Sequence, residues 1–493
     1  MEHPLQVDEL PGTDNPPAVQ AQPRVSLQGA ADAAPLPPFP DVDPGDVLLL
    51  TPSDAGYADY LPAANTRTQL GPALRAVCNT EQGVAAMVGW VRDNQLAFAS
   101  RCGGHSYEGF SQSSNVVIDL RGLAAIDVDD SAGLVTAGSG VSLYQIYQAV
   151  ADKGLALQAG SCPTVGVSGH ILGGGHGLLA RSHGLTCDSM REVSIVDAQS
   201  RVLTANAASE PDLFWACRGG GGGSFGIATG FTLNVFPLAS ALVFGVSWRL
   251  TQAQAAKLFA AWAAWAPNAP ANITPIMKVG SAGGGAITMR CIGQSVGSES
   301  ELRAQLHPLV TMYAPSSALT IQSLSFLNAV KHFAGPLDYE SVYMKAKSDY
   351  VLTPLGSDAI QTMMTSLAAI APGGVVLLCD AYGGKIADVA AADTAFPRRN
   401  GTQYCIQYYS SWTRAADTPA HLANVANIYA AMQPFMPGAS YVNYCDLDLP
   451  NYAQAYWGDN LPRLMAVKAE YDPQNLFQHA QSVPLPPAPA PQV

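Results

Sequence analysis

Arg101-Cys-Gly-Gly-His105-Ser-Tyr-Glu-Gly109 and Ala159-Gly-Ser-Cys162-Pro-Thr-Val165-Gly-Val-Ser-Gly169-His170 carry the most distinctive chemistry in this chain. Each sets one nucleophilic side chain, His105 or Cys162, in a bed of glycine, and the two nucleophiles stand 57 residues apart. Glycine lets backbone approach another group closely, and successive amides arranged that way bind anions without Lys or Arg. His105 therefore has two readings. One is a ring nitrogen bonded to a cofactor carbon, with Gly103 and Gly104 offering amides to a pyrophosphate. The other is an imidazole satisfied within a turn. Cys162 precedes Pro163 on a loop expected to be kinked and exposed. It is either a thiolate that adds to a cofactor ring carbon or an inert loop thiol.

The second stretch continues into Gly173-Gly-Gly-His176-Gly177 and on to His183 and Cys187. His170, His176, His183 and Cys187 could be taken for a metal set. Their spacing fits no structural zinc pattern and Cys-x-x-Cys pairs are absent, so no metal is expected. Gly221-x-Gly223-x-x-Gly226 satisfies the dinucleotide fingerprint by letter. It fails by context, because Phe214-Trp-Ala-Cys-Arg218 is not a β-branched strand and no acid follows about twenty residues on. The nucleotide-binding sequence Gly-Lys-Ser/Thr is also missing.

A length of 493 residues implies more than one domain. Hydrophobic residues make up 48% and charged residues 13%, a balance suited to a well-buried enzyme. The net charge of −13 argues against nucleic-acid and anionic-membrane partners, which need clustered cations. Nine cysteines without tight spacing are not a disulfide framework, although a few pairs could form. No run of about twenty apolar residues predicts a membrane span. Met1-Glu-His-Pro lacks a basic start and apolar core, so a cytoplasmic location is expected. Asn272 and Asn400 sit in glycosylation sequons that matter only after secretion.

Residues 1–44, rich in Pro and Ala, are expected to form an extended tail, and 484–493 a Pro-rich one. Between them, 45–237 alternates short apolar runs with helical patterns. Asn115–Leu120 reads as a strand. Ser142-x-x-Gln145 reads as a capping box opening a helix that Gly154 ends. After Pro237, Val243–Trp248 and Gln403–Tyr409 read as strands, and 251–265 and 358–370 as helices. An inserted α+β unit is thus expected at 238–440, with 441–483 returning to the first domain.

Taken in order, Arg-x-Gly-Gly-His-Ser-Tyr-x-Gly and Ala-Gly-x-Cys-Pro-Thr-Val-Gly-Val-x-Gly-His resemble the berberine-bridge-enzyme-like FAD-linked oxidases, whose fold is similar to that of vanillyl-alcohol oxidase. Phe396-Pro-Arg-Arg-x-Gly401, Tyr441-Val-Asn-Tyr444-Cys-Asp446-Leu-Asp448, Tyr456-Trp-Gly458 and Tyr471-Asp-Pro-Gln-Asn475-Leu-Phe477 agree. The match runs from about Leu70 to Val483. The resemblance implies an α+β fold in which a two-part FAD-binding domain flanks a substrate domain built on an antiparallel sheet. It implies FAD attached twice, through His105 and Cys162. The cofactor would be surrounded by Arg101, Cys102, Gly103, Gly104, Ser106, Val165, Gly166, Gly169, His170, Ile227, Tyr444 and Asn475.

For chemistry, the resemblance implies Tyr444 as catalytic tyrosine and Asp380 at the position where carbohydrate oxidases of the family place an acid. A phenol of pKa near 10 is a poor base, and a neighbouring carboxylate can take its proton as it deprotonates a substrate hydroxyl. Gln407 is expected to face the groove by strand alternation and to bind a sugar hydroxyl. Val165 matches the position that gates oxygen, where valine goes with oxidases. The expected reaction is oxidation of an alcohol or hemiacetal carbon, with a saccharide or glycosylated metabolite favoured and O₂ reduced to H₂O₂. A tailoring oxidase acting on a non-sugar scaffold and a flavin-carrying binding protein remain as alternatives. Small molecules and O₂ are the expected partners, and no protein partner is. Ser168, Arg398 and Pro450 depart from the pattern without removing a cofactor ligand.

Overall fold

Short β-branched runs bounded by turn residues form the first sheet of the computed structural model, which describes residues 36–335 and 341–487. Val116–Asp119, the strand expected within Asn115–Leu120, lies between Leu74–Cys78 and Phe98–Arg101 and runs parallel to both. Val47–Leu50 adds an antiparallel edge. A parallel core of this kind must be covered. Helix Glu81–Asp93 does so with Val84, Met87, Val88 and Val91, its start capped by Thr80 Oγ1, which accepts from Gly83 N at 3.0 Å. The chain leaves the C-terminal end of Phe98–Arg101 directly into the His105 loop.

The second sheet has five antiparallel strands in the order Ile126–Asp129, Leu134–Gly138, Ile227–Asn234, Met190–Val196, Val202–Asn206. Helix Leu143–Ala151 opens with the expected capping box. Ser142 N donates to Gln145 Oε1 at 2.7 Å, and Gln145 N to Ser142 Oγ at 3.3 Å. Leu143, Ile146, Tyr147 and Val150 are buried, and Gly154, at φ 72°, turns the chain away. Gly221–Gly226 falls between helix Pro211–Ala216 and strand Ile227–Asn234. That order is the reverse of a dinucleotide fingerprint, which follows a strand and opens a helix.

All seven strands of the third sheet come from residues 240–412, and every pairing is antiparallel. Their order is Ser317–Ser325, Ser240–Leu250, Ala286–Ser295, Ile273–Gly283, Val376–Ala381, Tyr404–Trp412, Tyr343–Val351. Helices Gln252–Trp265, Ser357–Ala368 and Thr418–Met432 bury one face of it around Phe259, Trp262, Met363 and Ile428. Thr251, expected as the first helical residue, is the N-cap, and the helix expected at 358–370 ends at Ala368. Past residue 440 the chain rejoins the five-stranded sheet. Tyr441, Tyr456, Trp457, Leu464 and Val467 share a core with Val193, Ile195 and Phe231.

The expected tail at 1–44 lies outside the described residues as far as residue 35, and the one at 484–493 from residue 488 onward. All nine cysteines are unpaired, so no disulfide contributes. No helix among the described residues is long and apolar enough to cross a membrane.

A buried charge cluster joins the three parts. Lys345, on the seven-stranded sheet, donates to Glu108 of the His105 loop at 2.5 Å and to Asp446 of the C-terminal segment at 2.6 Å. Lys347 reaches Asp446 at 2.7 Å and Asp448 at 2.9 Å. Asp446 is buried, whereas the Asp448 side chain is 62% exposed. Asp446→Ala leaves two buried ammonium groups short of a counter-charge and is expected to cost about 3–5 kcal/mol of stability. Asp448→Ala is expected to cost about 0–1 kcal/mol, since water replaces much of its contribution. Chemical denaturation of both variants checks the contrast.

Candidate active site

The two glycine-rich loops pack against each other with no room for side chains between them. A Cβ on Gly103 would collide with the backbone amide of Gly166, and one on Gly166 with the Cys102 sulfur. This contact brings the nucleophiles together. Thr164 Oγ1 lies 2.9 Å from His105 Nε2 and 3.9 Å from Cys162 Sγ, so a single hydroxyl bridges imidazole and thiol. Burial, with the Arg101 guanidinium nearby, lowers the His105 pKa to about 4. The ring is therefore neutral at physiological pH, the form in which a ring nitrogen is nucleophilic. Cys162 is open to the cavity but walled on its other sides, and that enclosure raises the thiol.

Both residues line a cavity of about 1760 Å³ between the glycine loops and the seven-stranded sheet. Ordinary ligand pockets occupy ~300–1000 Å³, so this one has room for an extended cofactor and a substrate together. Cys102, Gly103, Gly104, Ser106, Val165, Gly166, Gly169, His170, Ile227 and Tyr444 also line it. A Cβ on Gly169 would meet nothing within 4 Å, which leaves a free strip of backbone for a ligand to lie against. Gly222 and Gly223, where a Cβ would meet nothing closer than 3.6 Å, add a second open stretch of the lining. These features fit the FAD that the loop sequences imply.

Two of the residues expected around the cofactor do not line the cavity. Arg101 is buried beneath the His105 loop, where its guanidinium donates to the carbonyls of Leu61 and Pro62. It shapes the loop from below and does not line the cavity. Asn475 occupies a turn with φ 55° and donates to Gln478 Oε1 at 3.2 Å, also away from the cavity lining. Its motif is built around Asp472, which accepts the amides of Leu476 and Phe477 and pairs with Lys468.

Tyr444 stands in the cavity wall and donates to Asp380 Oδ2 at 3.2 Å. Asp380, only 6% exposed, sits behind the phenol and does not reach the cavity. Burial raises the Asp380 pKa against the opposing pull of His176, Tyr444 and Lys278, and burial raises Tyr444 further from its ordinary range. Gln407 also faces the cavity, as strand alternation predicts, and donates to Tyr107 OH at 2.9 Å. The Tyr107 ring stacks parallel to Tyr444 with centroids 5.9 Å apart. The site therefore holds two phenols side by side, one on an amide and the other on a carboxylate.

The histidines whose order along the chain could suggest a metal set have separate roles. His170 Nε2 accepts the Gly160 amide at 3.0 Å and burial takes its pKa to about 3. His176 stacks on Tyr382 beside Asp380, and His183 on Phe236. Cys187 is buried near Arg399. No group of three metal-ligating side chains occurs among the described residues.

Sequence reasoning missed Tyr107, Lys278 and Arg290 in this wall. Tyr107 lay inside the quoted motif, but its role emerges only when the loop folds toward residue 407. The two cations sit opposite each other on adjacent strands, a pairing set by register rather than by local sequence.

Comparison with known proteins follows the same lines. Residues 72–206 match the family model described as an FAD binding domain, and 440–484 the one described as berberine and berberine like. An FAD-linked oxidoreductase of Bacillus subtilis (strain 168), YgaK, is 31% identical over 88% of this chain and 96% of its own length. Berberine bridge enzyme-like 25 of Arabidopsis thaliana is 32% identical over 82% of each. Among solved structures, BBE-like 1 of Physcomitrella patens superposes with a TM-score of 0.84 at 29% identity, covering 90% of this chain and 98% of its own. A variant of Phl p 4, described as a glucose oxidase, superposes at 0.80 with 27% identity, covering 90% and 97%.

Proposed function

The chain belongs to the berberine-bridge-enzyme-like family of FAD-linked oxidoreductases, and from that premise we propose that it oxidises a CH–OH carbon of a saccharide, with FAD attached through both His105 and Cys162. The hydrogen bond from Tyr444 to Asp380 at the cavity wall carries this reading. FAD, when bound, supplies hydride acceptance and returns both electrons to O₂ as H₂O₂.

The chain's own groups handle the proton. A substrate hydroxyl beside Tyr444 loses its proton to the phenolate oxygen as the adjacent C–H bond breaks. Asp380 relieves Tyr444 of its own proton through the existing hydrogen bond. A carboxylate raised by burial is suited to this, because its proton affinity lies closer to neutrality than that of an exposed acid. Gln407 and Tyr107 offer hydrogen bonds to a second ring hydroxyl. Val165, short and in the cavity wall, leaves space for O₂. Segment 238–440 serves as the substrate domain and supplies every strand of the seven-stranded sheet.

The likeness to a protein described as a glucose oxidase supports a sugar over a non-sugar alcohol. Oxygen uptake by the purified holoprotein over a panel of mono- and oligosaccharides, with non-sugar alcohols and phenols alongside, tests the proposal. At least one saccharide should drive O₂ consumption with equimolar H₂O₂. Turnover confined to non-sugar alcohols, or no flavin reduction by any sugar, overturns it.

A further inference from the structure

Resting on that saccharide-oxidase reading, the cavity wall carries information about charge. This chain holds 38 acidic and 25 basic residues, yet no Asp or Glu lines the cavity among the described residues. Among the described residues its charged lining side chains are Arg249, Lys278 and Arg290. All three belong to the seven-stranded sheet and none to the glycine loops that fit the cofactor.

Strand register brings them together. Lys278 is paired directly with Arg290 across adjacent antiparallel strands, and Arg290 with Ser247 on its other side. Arg249 stands two residues beyond Ser247, opposite Thr288, which also lines the cavity. Like charges directly opposite each other destabilise a sheet. The ion pairs among the described residues include none of the three cations. Lys278 is held down to about 8 by burial and by Arg290 beside it, against the opposing pull of the Asp380 carboxyl behind the wall. An arrangement that repels itself and faces a cavity is suited to an anion arriving from outside.

The distance to the chemistry is short. Asp380 pairs with Ile276, two residues from Lys278 on the same strand. Diagonal positions of this kind lie roughly 7–8 Å apart along the backbone, so Lys278 and the carboxyl behind Tyr444 rise from neighbouring points on one face of the sheet. Ser247 and Thr288 add hydroxyl partners in the same cross-strand rows.

We infer that the substrate is an anionic saccharide, whose charged substituent is held between Lys278 and Arg290 while one of its hydroxyl carbons faces Tyr444. Arg249, exposed at the outer end of the row, draws the anion in. A uronate carboxylate and a phosphate ester share this chemistry, and substrate choice separates them.

The test compares three substrates on the flavin-loaded enzyme: a neutral oligosaccharide, its uronate counterpart and the corresponding sugar phosphate. One or both anionic sugars should exceed the neutral one in kcat/KM by about 10- to 100-fold, the range of a hydrogen-bonded charge. That preference should shrink as salt is raised. Lys278→Met and Arg290→Met should each raise KM for the preferred anion with little change in kcat. Flavin content should stay unchanged, and Lys278→Arg should restore most of the affinity. If the uronate alone is preferred, the anion is a carboxylate; if the phosphate alone, a phosphate ester. Turnover of the neutral sugar at equal or better efficiency overturns the inference and leaves the saccharide-oxidase reading standing. So does loss of flavin from the methionine variants, which would assign the cations to the cofactor. Failure of every sugar to reduce the flavin overturns both.

Discussion

Replacing His105 and Cys162 together with alanine is expected to abolish covalent flavin, whereas either replacement alone is expected to leave the flavin attached. Acid precipitation followed by a visible spectrum of pellet and supernatant reads the result. Wild type, His105→Ala and Cys162→Ala should each give a yellow pellet, and the double variant a colourless one. The expectation rests on geometry. Both side chains line one cavity and both are within reach of the Thr164 hydroxyl, so both can approach one edge of one ring system. It rests also on protonation. A histidine lowered to about 4 is an uncharged nucleophile at the pH of expression. The thiol, raised by enclosure, must lose its proton before attack. Each single variant therefore keeps one working attachment point. A wild-type protein that releases all its flavin, or a double variant whose pellet stays yellow, would falsify the double attachment.

Much of this site was legible because its groups lie in contiguous motifs. Glycine density marked Gly103 and Gly166 as places of close backbone approach to a cofactor; the packing of each against the other loop was not specified by the letters. Gln407 was readable from alternation along its strand, since side chains at period two face one side. Arg101 and Asn475 do not line the cavity, for one common reason. A motif position can matter by shaping its loop, and the letters do not separate that from ligand contact. Arg101 anchors the His105 loop to the carbonyls of residues 61 and 62, and the turn holding Asn475 is organised by Asp472. Lys278 and Arg290 were invisible for another reason. Their adjacency depends on the register between two strands, and local pattern does not determine register. The Glu108–Lys345–Asp446 cluster joins residues more than a hundred positions apart and was equally out of reach.

Tyr444→Phe and Asp380→Asn are expected to lower kcat by roughly 10²–10⁴-fold each, with KM little changed, because each removes one end of the proton path. Their pH profiles should differ from that of the wild type in a defined way. Burial raises the Asp380 pKa, with His176, Tyr444 and Lys278 opposing. Below that raised pKa the carboxyl is protonated and no longer the charged acceptor that Tyr444 needs. Wild-type kcat/KM should therefore fall on acidification, with its midpoint above the ordinary aspartate value of about 3.9. Asp380→Asn should lack that limb. Stability should move the other way. A carboxyl whose folded pKa exceeds its unfolded value adds stability that is fully present below the unfolded pKa and lost as pH rises through the folded one. Above that raised pKa the ionised, working form of Asp380 is the less stable one, and there Asp380→Asn is expected to raise Tm while it lowers turnover. That opposition of sign separates a proton acceptor from a merely structural residue, whose loss would lower both. An Asp380→Asn variant that keeps more than about a tenth of wild-type kcat, too small a loss for general-base catalysis, would remove Asp380 from the mechanism. So would retention of the acid limb.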